Sequence, residues 1–142
     1  MAFVGSHLHN VDKKGRIFIP AKFREGLGER FYIALPLDGQ ECLSIYPNER
    51  WEEIQNRISA LPLMQQVEVQ RQFVPMATDA ECDAQGRVLI PNILRTYARI
   101  EESAYIIGTN NTIEIWSKDA WEKKMSSMTP NSFASVMSKY LF

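Results

Sequence analysis

DKKGRIFIP at residues 12–20 and DAQGRVLIP at residues 83–91 are nearly the same phrase, written 71 residues apart in a chain of 142. Aligning residues 12–24 with 83–95 gives identities at Asp12/Asp83, Gly15/Gly86, Arg16/Arg87, Ile19/Ile90, Pro20/Pro91 and Arg24/Arg95. The apolar positions between them change mildly, as Ile17/Val88, Phe18/Leu89 and Phe23/Leu94. The likeness continues downstream with a small shift: FYIAL (31–35) matches AYIIG (104–108), and LSIYPNERWEE (43–53) matches IEIWSKDAWEK (113–123). Tyr46 thereby falls on Trp116 and Trp51 on Trp121. Agreement in order, spacing and residue type defines an internal repeat, which has to be settled before any single residue is read.

Each copy reads as strand, turn, strand, short helix, strand, strand, helix. Asp at the first turn position with Gly three residues on is the signature of a type I turn closed by a left-handed glycine, a hairpin with a bulge. Asp12 and Asp83 are expected to accept N–H groups of their own turns, while Gly15 and Gly86 supply the positive φ. Pro20 and Pro91 end the second strands and pre-set the first helical turns, predicting short helices in AKFRE, stopped by Gly26, and in NILRTYA. Two strand runs follow in each copy, FYIAL with CLSIY and AYIIG with TIEIW, joined by turn material at Leu37-Asp38-Gly39-Gln40 and Thr109-Asn110-Asn111. A closing helix opens near Asn48 or Ser117 and carries Trp51 or Trp121 inward.

Trp51, Ile54, Ile58 and Leu61 continue the first closing helix at helical spacing. A second helix starting at Pro62 places Leu63, Val67, Arg71 and Val74 on one stripe, which reads as core. The expected organisation is a first repeat over 5–50, a helical connector over 51–76, a second repeat over 77–120, and a C-terminal helix and tail over 121–142. A unit of roughly 45 residues is too small to bury its own core without help. RIFIP and RVLIP are apolar on both faces, so both faces need covering. The expected fold is mixed α+β and β-rich, with the two repeats packed about a pseudo-twofold axis as an intertwined barrel with flanking helices.

Composition is that of a folded domain, 45% hydrophobic and 23% charged. No apolar run approaches the ~18 residues of a membrane span, and MAFVGSHLHNVDKKGR has no basic region followed by an apolar stretch, so a cytoplasmic address is expected. Cys42 and Cys82 form no Cys-x-x-Cys pair, and His7 and His9 do not complete a zinc spacing. Both cysteines read as small buried residues, with no metal and no cofactor. The net charge of −1 gives no global attraction to a polyanion. Between His9 and Arg24, however, Lys13, Lys14, Arg16, Lys22 and Arg24 face Asp12 alone, a local excess of four positive charges. Acids gather elsewhere, at Glu49, Glu52, Glu53, Glu101 and Glu102. This segregation suits a nucleic-acid surface, and equally a solvated basic loop. The paired aspartates do not suit a proton-sharing dyad, since each neighbours an Arg that keeps it ionised. With no P-loop, Gly-x-Ser-x-Gly or His-Glu-x-x-His, no enzyme activity is expected.

Asp-x-x-Gly-Arg followed by a strand ending Ile-Pro, present twice, resembles the swapped-hairpin module of the AbrB/MazE type. The tandem arrangement with its Tyr-Pro…Trp and Ile-Trp…Trp closures resembles the MraZ family, over residues from Gly5 to about Lys124. The resemblance implies a bacterial cytoplasmic, nucleoid-associated transcriptional regulator. It would act on direct repeats in the promoter of its own division and cell-wall gene cluster, and assemble as a ring-like homo-oligomer. Its signature residues fall on Asp12 and Arg16, and on Asp83 and Arg87. Lys13-Lys14 in the first turn becomes Ala84-Gln85 in the second, and Lys22 becomes Ile93. The first copy is therefore expected to carry most of the contact with double-stranded DNA: Lys13, Lys14 and Lys22 on phosphates, Arg16 on a guanine edge, and Arg24 within the same basic set. Arg87 is its equivalent in a weaker role. Asp and Arg four residues apart also pair simply to hold the bulge. A few cations per chain neutralise few phosphates, so tight binding requires several chains; TPNSFASVMSKYLF (129–142) is apolar enough to pack on a neighbour or to form a loose tail. The competing function is a protein-binding or assembly module without specific DNA recognition.

Overall fold

The computed structural model describes residues 2–142. The first copy forms β1 (Ser6–Asn10), β2 (Arg16–Phe18), α1 (Ala21–Leu27), β3 (Phe31–Ala34), β4 (Leu43–Pro47) and α2 (Asn48–Ser59). Helix α3 (Leu63–Phe73) and a 3-10 turn (Val74–Met76) lead to β5 (Thr78–Ala80), β6 (Arg87–Leu89), α4 (Asn92–Tyr97), β7 (Ser103–Gly108), β8 (Ile113–Ser117) and α5 (Lys118–Ser126). Helix α6 (Pro130–Tyr140) follows.

The copies exchange their opening strands. β1 pairs with β7 of the second copy, and β5, its counterpart, pairs with β3 of the first. Antiparallel throughout, the large sheet runs β1-β7-β8-β4-β3-β5, an order that reads the same from either end once the copies are interchanged. The pseudo-twofold axis passes between β4 and β8, where Leu43 faces Ile115, Ser44 faces Glu114 and Ile45 faces Ile113. It also passes through the β2–β6 ribbon, where Ile17 faces Val88. Ile17, Ile33, Ile45, Val88, Ile90, Ile106, Ile113 and Ile115 from both copies fill one shared core. That sharing lets two units of marginal size fold as one.

The strands do not close into the barrel that the repeat suggested. Six form an open sheet with β1 and β5 at its edges, and β2 and β6 form a separate two-stranded ribbon. Each ribbon strand holds only three residues before its proline, and a single bridge, Val11↔Ile17, joins β2 to the chain leaving β1. Helix α1 runs through Gly26 and ends at Gly28, which takes φ 73° and donates its N–H to Arg24 O. The extra turn buries Leu27, a gain that exceeds the ~1 kcal/mol cost of a glycine inside a helix. On α3 most of the expected core stripe is outside: Leu63 is 71% exposed, Arg71 and Val74 are exposed too and Val67 is only half-buried, while Phe73 is the buried residue. Phe73 stacks on Trp51 (5.2 Å), which stacks on Tyr32 (4.4 Å), and this aromatic column fixes which side of α3 faces inward. Cys42 lies in the interior, where burial pushes its thiol pKa well up.

The N-terminal segment prolongs the β1–β7 pairing up to the β7–β8 turn. Phe3 is buried and exchanges backbone bonds with Asn110 (2.8 and 2.9 Å), and Gly108 N–H donates to Gly5 O (2.8 Å). A Cβ on Gly108 would fall within 2.5 Å of Val4 N, so nothing larger than glycine fits. Gly108→Ala is expected to destabilise the fold by about 1–3 kcal/mol through overpacking. Denaturant unfolding checks this, and an unchanged midpoint would refute the packing described.

Candidate nucleic-acid interface

The two turns are built alike, bond for bond. Gly15 N–H donates to Asp12 O (3.0 Å) and Gly86 N–H to Asp83 O (2.9 Å), with φ of 89° and 80° at the glycines. Asp12 Oδ1 accepts the backbone N–H groups of Lys14 and Arg16, both at 2.9 Å, and Asp83 Oδ1 accepts those of Gln85 and Arg87 at 2.9 Å. The second carboxylate oxygen takes the arginine: Arg16 Nε donates to Asp12 Oδ2 at 2.7 Å, and Arg87 Nε to Asp83 Oδ2 at 3.2 Å. Backbone N–H donation, from Arg16 above all, holds the Asp12 carboxyl below the usual range, and Arg87 N–H does the same for Asp83. A proton-sharing dyad needs the opposite shift.

Pairing with aspartate and availability to a ligand do not exclude each other here. Asp12 engages only Nε of Arg16, and among the described residues the two terminal nitrogens of that guanidinium carry no intramolecular hydrogen bond. The carboxylate thus aims a free fork outward. Arg87 is more tied down, since its Nη1 also reaches Asp12 Oδ2 at 3.5 Å.

The ribbon carries both arginines on one face. Ile17 and Val88 point into the core, so Arg16, Phe18, Arg87 and Leu89 alternate onto the outer side. Arg16 stands opposite Leu89, and Phe18 opposite Arg87. Because the strands are antiparallel, the turns sit at opposite ends. Ile90 N–H donates to Gly15 O and Ile19 N–H to Gly86 O, both at 2.9 Å. Lys13 and Lys14 are exposed at the first end, and Ala84 and Gln85 mark the other.

Lys22 and Arg24 lie away from the lysine turn. β2 runs from the first turn to the second, so α1 emerges beside Gly86. There Arg24 donates from Nε to Ile19 O (2.9 Å), lies over the Phe18 ring (5.3 Å) and packs on Gly86, whose added Cβ would sit 2.8 Å from Arg24 Cζ. Lys22, exposed two residues earlier, belongs to that end. Arg95 mirrors Arg24: its Nε donates to Ile90 O (2.9 Å) and its guanidinium covers Gly15 at 2.7 Å from an added Cβ. Each arginine thus clamps the turn of the other copy. Sequence reasoning left Arg95 aside, although its identity with Arg24 was the available signal. Leu89, exposed on the ribbon, was passed over as well. No group of His, Cys, Asp and Glu among the described residues is placed to hold a metal ion, and no helix there is long and apolar enough to cross a membrane.

Exchanged opening strands, twin Asp–Arg turns and a ribbon with a basic end define a tandem hairpin-swapped β module. A profile of the family described as "MraZ protein, putative antitoxin-like" matches the chain twice, over residues 2–74 and 73–139. The chain belongs to the MraZ family. It is 48% identical to the "Transcriptional regulator MraZ" of Pelotomaculum thermopropionicum over 122 residues, 84% of this chain and 83% of the relative. Its identity to the protein of that name from Desulforamulus reducens is 42%, over 85% of each chain. With the one from Heliobacterium modesticaldum it is 40%, over 98% of this chain and 96% of the relative.

Proposed function

We propose that this protein is a sequence-specific DNA-binding transcriptional regulator that sets the outer face of the β2–β6 ribbon against duplex DNA. The observation that carries the reading is Arg16, whose Nε is held by Asp12 while its terminal nitrogens are free, beside the exposed Lys13 and Lys14. Arg16 reads a guanine edge through O6 and N7, and the lysines place the phosphate backbone. Lys22 adds a contact from the other end of the ribbon, Arg87 adds one from between the turns, where its Nη1 reaches back to Asp12, and Arg24 adds positive potential beside the second turn while holding it. Relatives named transcriptional regulators, similar over most of the chain, support the same reading.

The unequal turns give each protomer a direction along the duplex, as direct repeats require, and we place those repeats in the promoter of the chain's own division and cell-wall gene cluster. We read the chain as working in the cytoplasm, at the nucleoid, as a ring-like homo-oligomer. Helix α6 supports self-association: a capping box at Thr129 and Ser132 forms it securely, yet it buries no residue and exposes Phe133, Val136 and Tyr140. The same exposed residues favour the competing reading, an assembly module that binds protein rather than DNA.

Binding to DNA tiled across the chain's own upstream region, at moderate salt with excess nonspecific competitor, separates the two. One tile with spaced repeats is expected to bind tightly. Lys13→Ala with Lys14→Ala should weaken every tile and lower the slope of log K against log salt by about 0.9 for each phosphate no longer neutralised. If no tile outcompetes random DNA, the regulator reading falls and the assembly module stands.

A further inference from the structure

Leu89 is an apolar residue left bare in the middle of a charged surface. Its counterpart in the first copy, Phe18, is half-buried, with the His9 ring 5.2 Å away and the Arg24 guanidinium 5.3 Å away. The position answering His9 in the second copy is Ala80, which has no ring to lay over the ribbon, and Leu89 stays 54% exposed. A lone exposed leucine needs no explanation. This one differs in its surroundings. Its cross-strand neighbour is Arg16, and the next residue, Ile90, is bonded through its N–H to Gly15 of the lysine turn. The apolar side chain, the free guanidinium fork and the two exposed lysines therefore share one end of the ribbon.

We propose that Leu89 is a specificity-determining residue that packs on the C5-methyl group of a thymine in the major groove, beside the guanine taken by Arg16. The inference rests on the DNA-binding reading above and adds a base to it. A two-stranded ribbon fits the ~12 Å major groove, whose base edges offer one apolar feature, the thymine methyl. The minor groove carries no methyl, and the sugars, alike at every base, carry no sequence information. Directly opposed residues of an antiparallel pair hold their Cβ atoms about 5 Å apart. With base pairs spaced at ~3.4 Å, that separation puts the Leu89 and Arg16 side chains on the same or adjacent base pairs. The prediction for the bound sequence is a thymine within one step of the guanine that Arg16 reads.

The test uses the full chain and the tightest tile, with each thymine replaced in turn by deoxyuridine, which removes the methyl and leaves the hydrogen-bonding edge. For the native protein, one replacement per repeat, next to a guanine, is expected to weaken binding about three- to fivefold, the effect of one methyl-sized contact. Leu89→Ala should bind the unmodified tile with about that same loss and be indifferent to deoxyuridine at that position. Because Leu89 lies outside the core, nonspecific affinity in low salt should be unchanged and serves as the control for folding. Two results would overturn the proposal with the DNA reading intact: a native protein that ignores every replacement, or a Leu89→Ala protein that remains as sensitive as the native one. Absence of binding to any tile would overturn both together.

Discussion

Arg16→Ala is expected to cut sharply the discrimination between the proposed binding site and random DNA, with little change in the fold. A bidentate arginine–guanine contact is worth about 1–3 kcal/mol of discrimination, so each engaged protomer loses roughly 5- to 150-fold. The turn should survive, because Asp12 Oδ1 is satisfied by the backbone N–H groups of residues 14 and 16, which the substitution leaves in place. Arg16→Lys should not restore preference, since an ammonium lacks the planar fork and cannot be aimed through Nε. Competition binding against random duplex reads the loss, and the circular dichroism spectrum reports the fold. Preserved preference in Arg16→Ala would reduce the Asp12–Arg16 pair to a brace for the bulge.

Phe31→Ala is expected to cost about 3–5 kcal/mol and to lower the whole molecule in a single transition. Phe31 is completely buried on β3, whose neighbours are β4 from its own copy and β5 from the other. Its cavity therefore weakens the exchanged strand as much as its own sheet. Two independent domains would behave otherwise, with one half melting early and the other persisting. Guanidinium unfolding followed by far-UV dichroism and by tryptophan fluorescence distinguishes the cases, because Trp51 belongs to one copy and Trp116 and Trp121 to the other. A biphasic curve, with dichroism and fluorescence out of step, would overturn the shared-core description.

What could be read from the sequence was mostly local. Asp, Gly and Arg at fixed offsets state a turn's hydrogen bonds almost completely, and the paired prolines fix where each ribbon strand stops. Closure of the sheet was not encoded locally, because it depends on how far three-residue strands can carry a ladder. The α3 stripe failed for another reason. Helical periodicity shows that Leu63 and Val74 share a side, but the Trp51–Phe73 column decides which side turns inward. Lys22 was grouped with Lys13 and Lys14 because it is near them in sequence. A strand running between them carries it to the opposite end of the ribbon. Leu89 was readable in principle, since the alignment that pairs it with Phe18 also pairs His9 with Ala80. Recognising it required knowing that His9 covers Phe18, a contact between separate strands.

Strand β1 finds its partner almost at the other end of the chain, Asn10 against Ser103 and Ser6 against Ile107. During synthesis at ~5–20 residues per second, the nascent chain must wait on the order of 5–20 s between making β1 and making β7. Throughout that interval the first hairpin has an open hydrogen-bonding edge and no mate. A neighbouring nascent chain on the same message offers an equivalent strand. Timing on the ribosome therefore helps decide whether the exchange is completed within one polypeptide or between two.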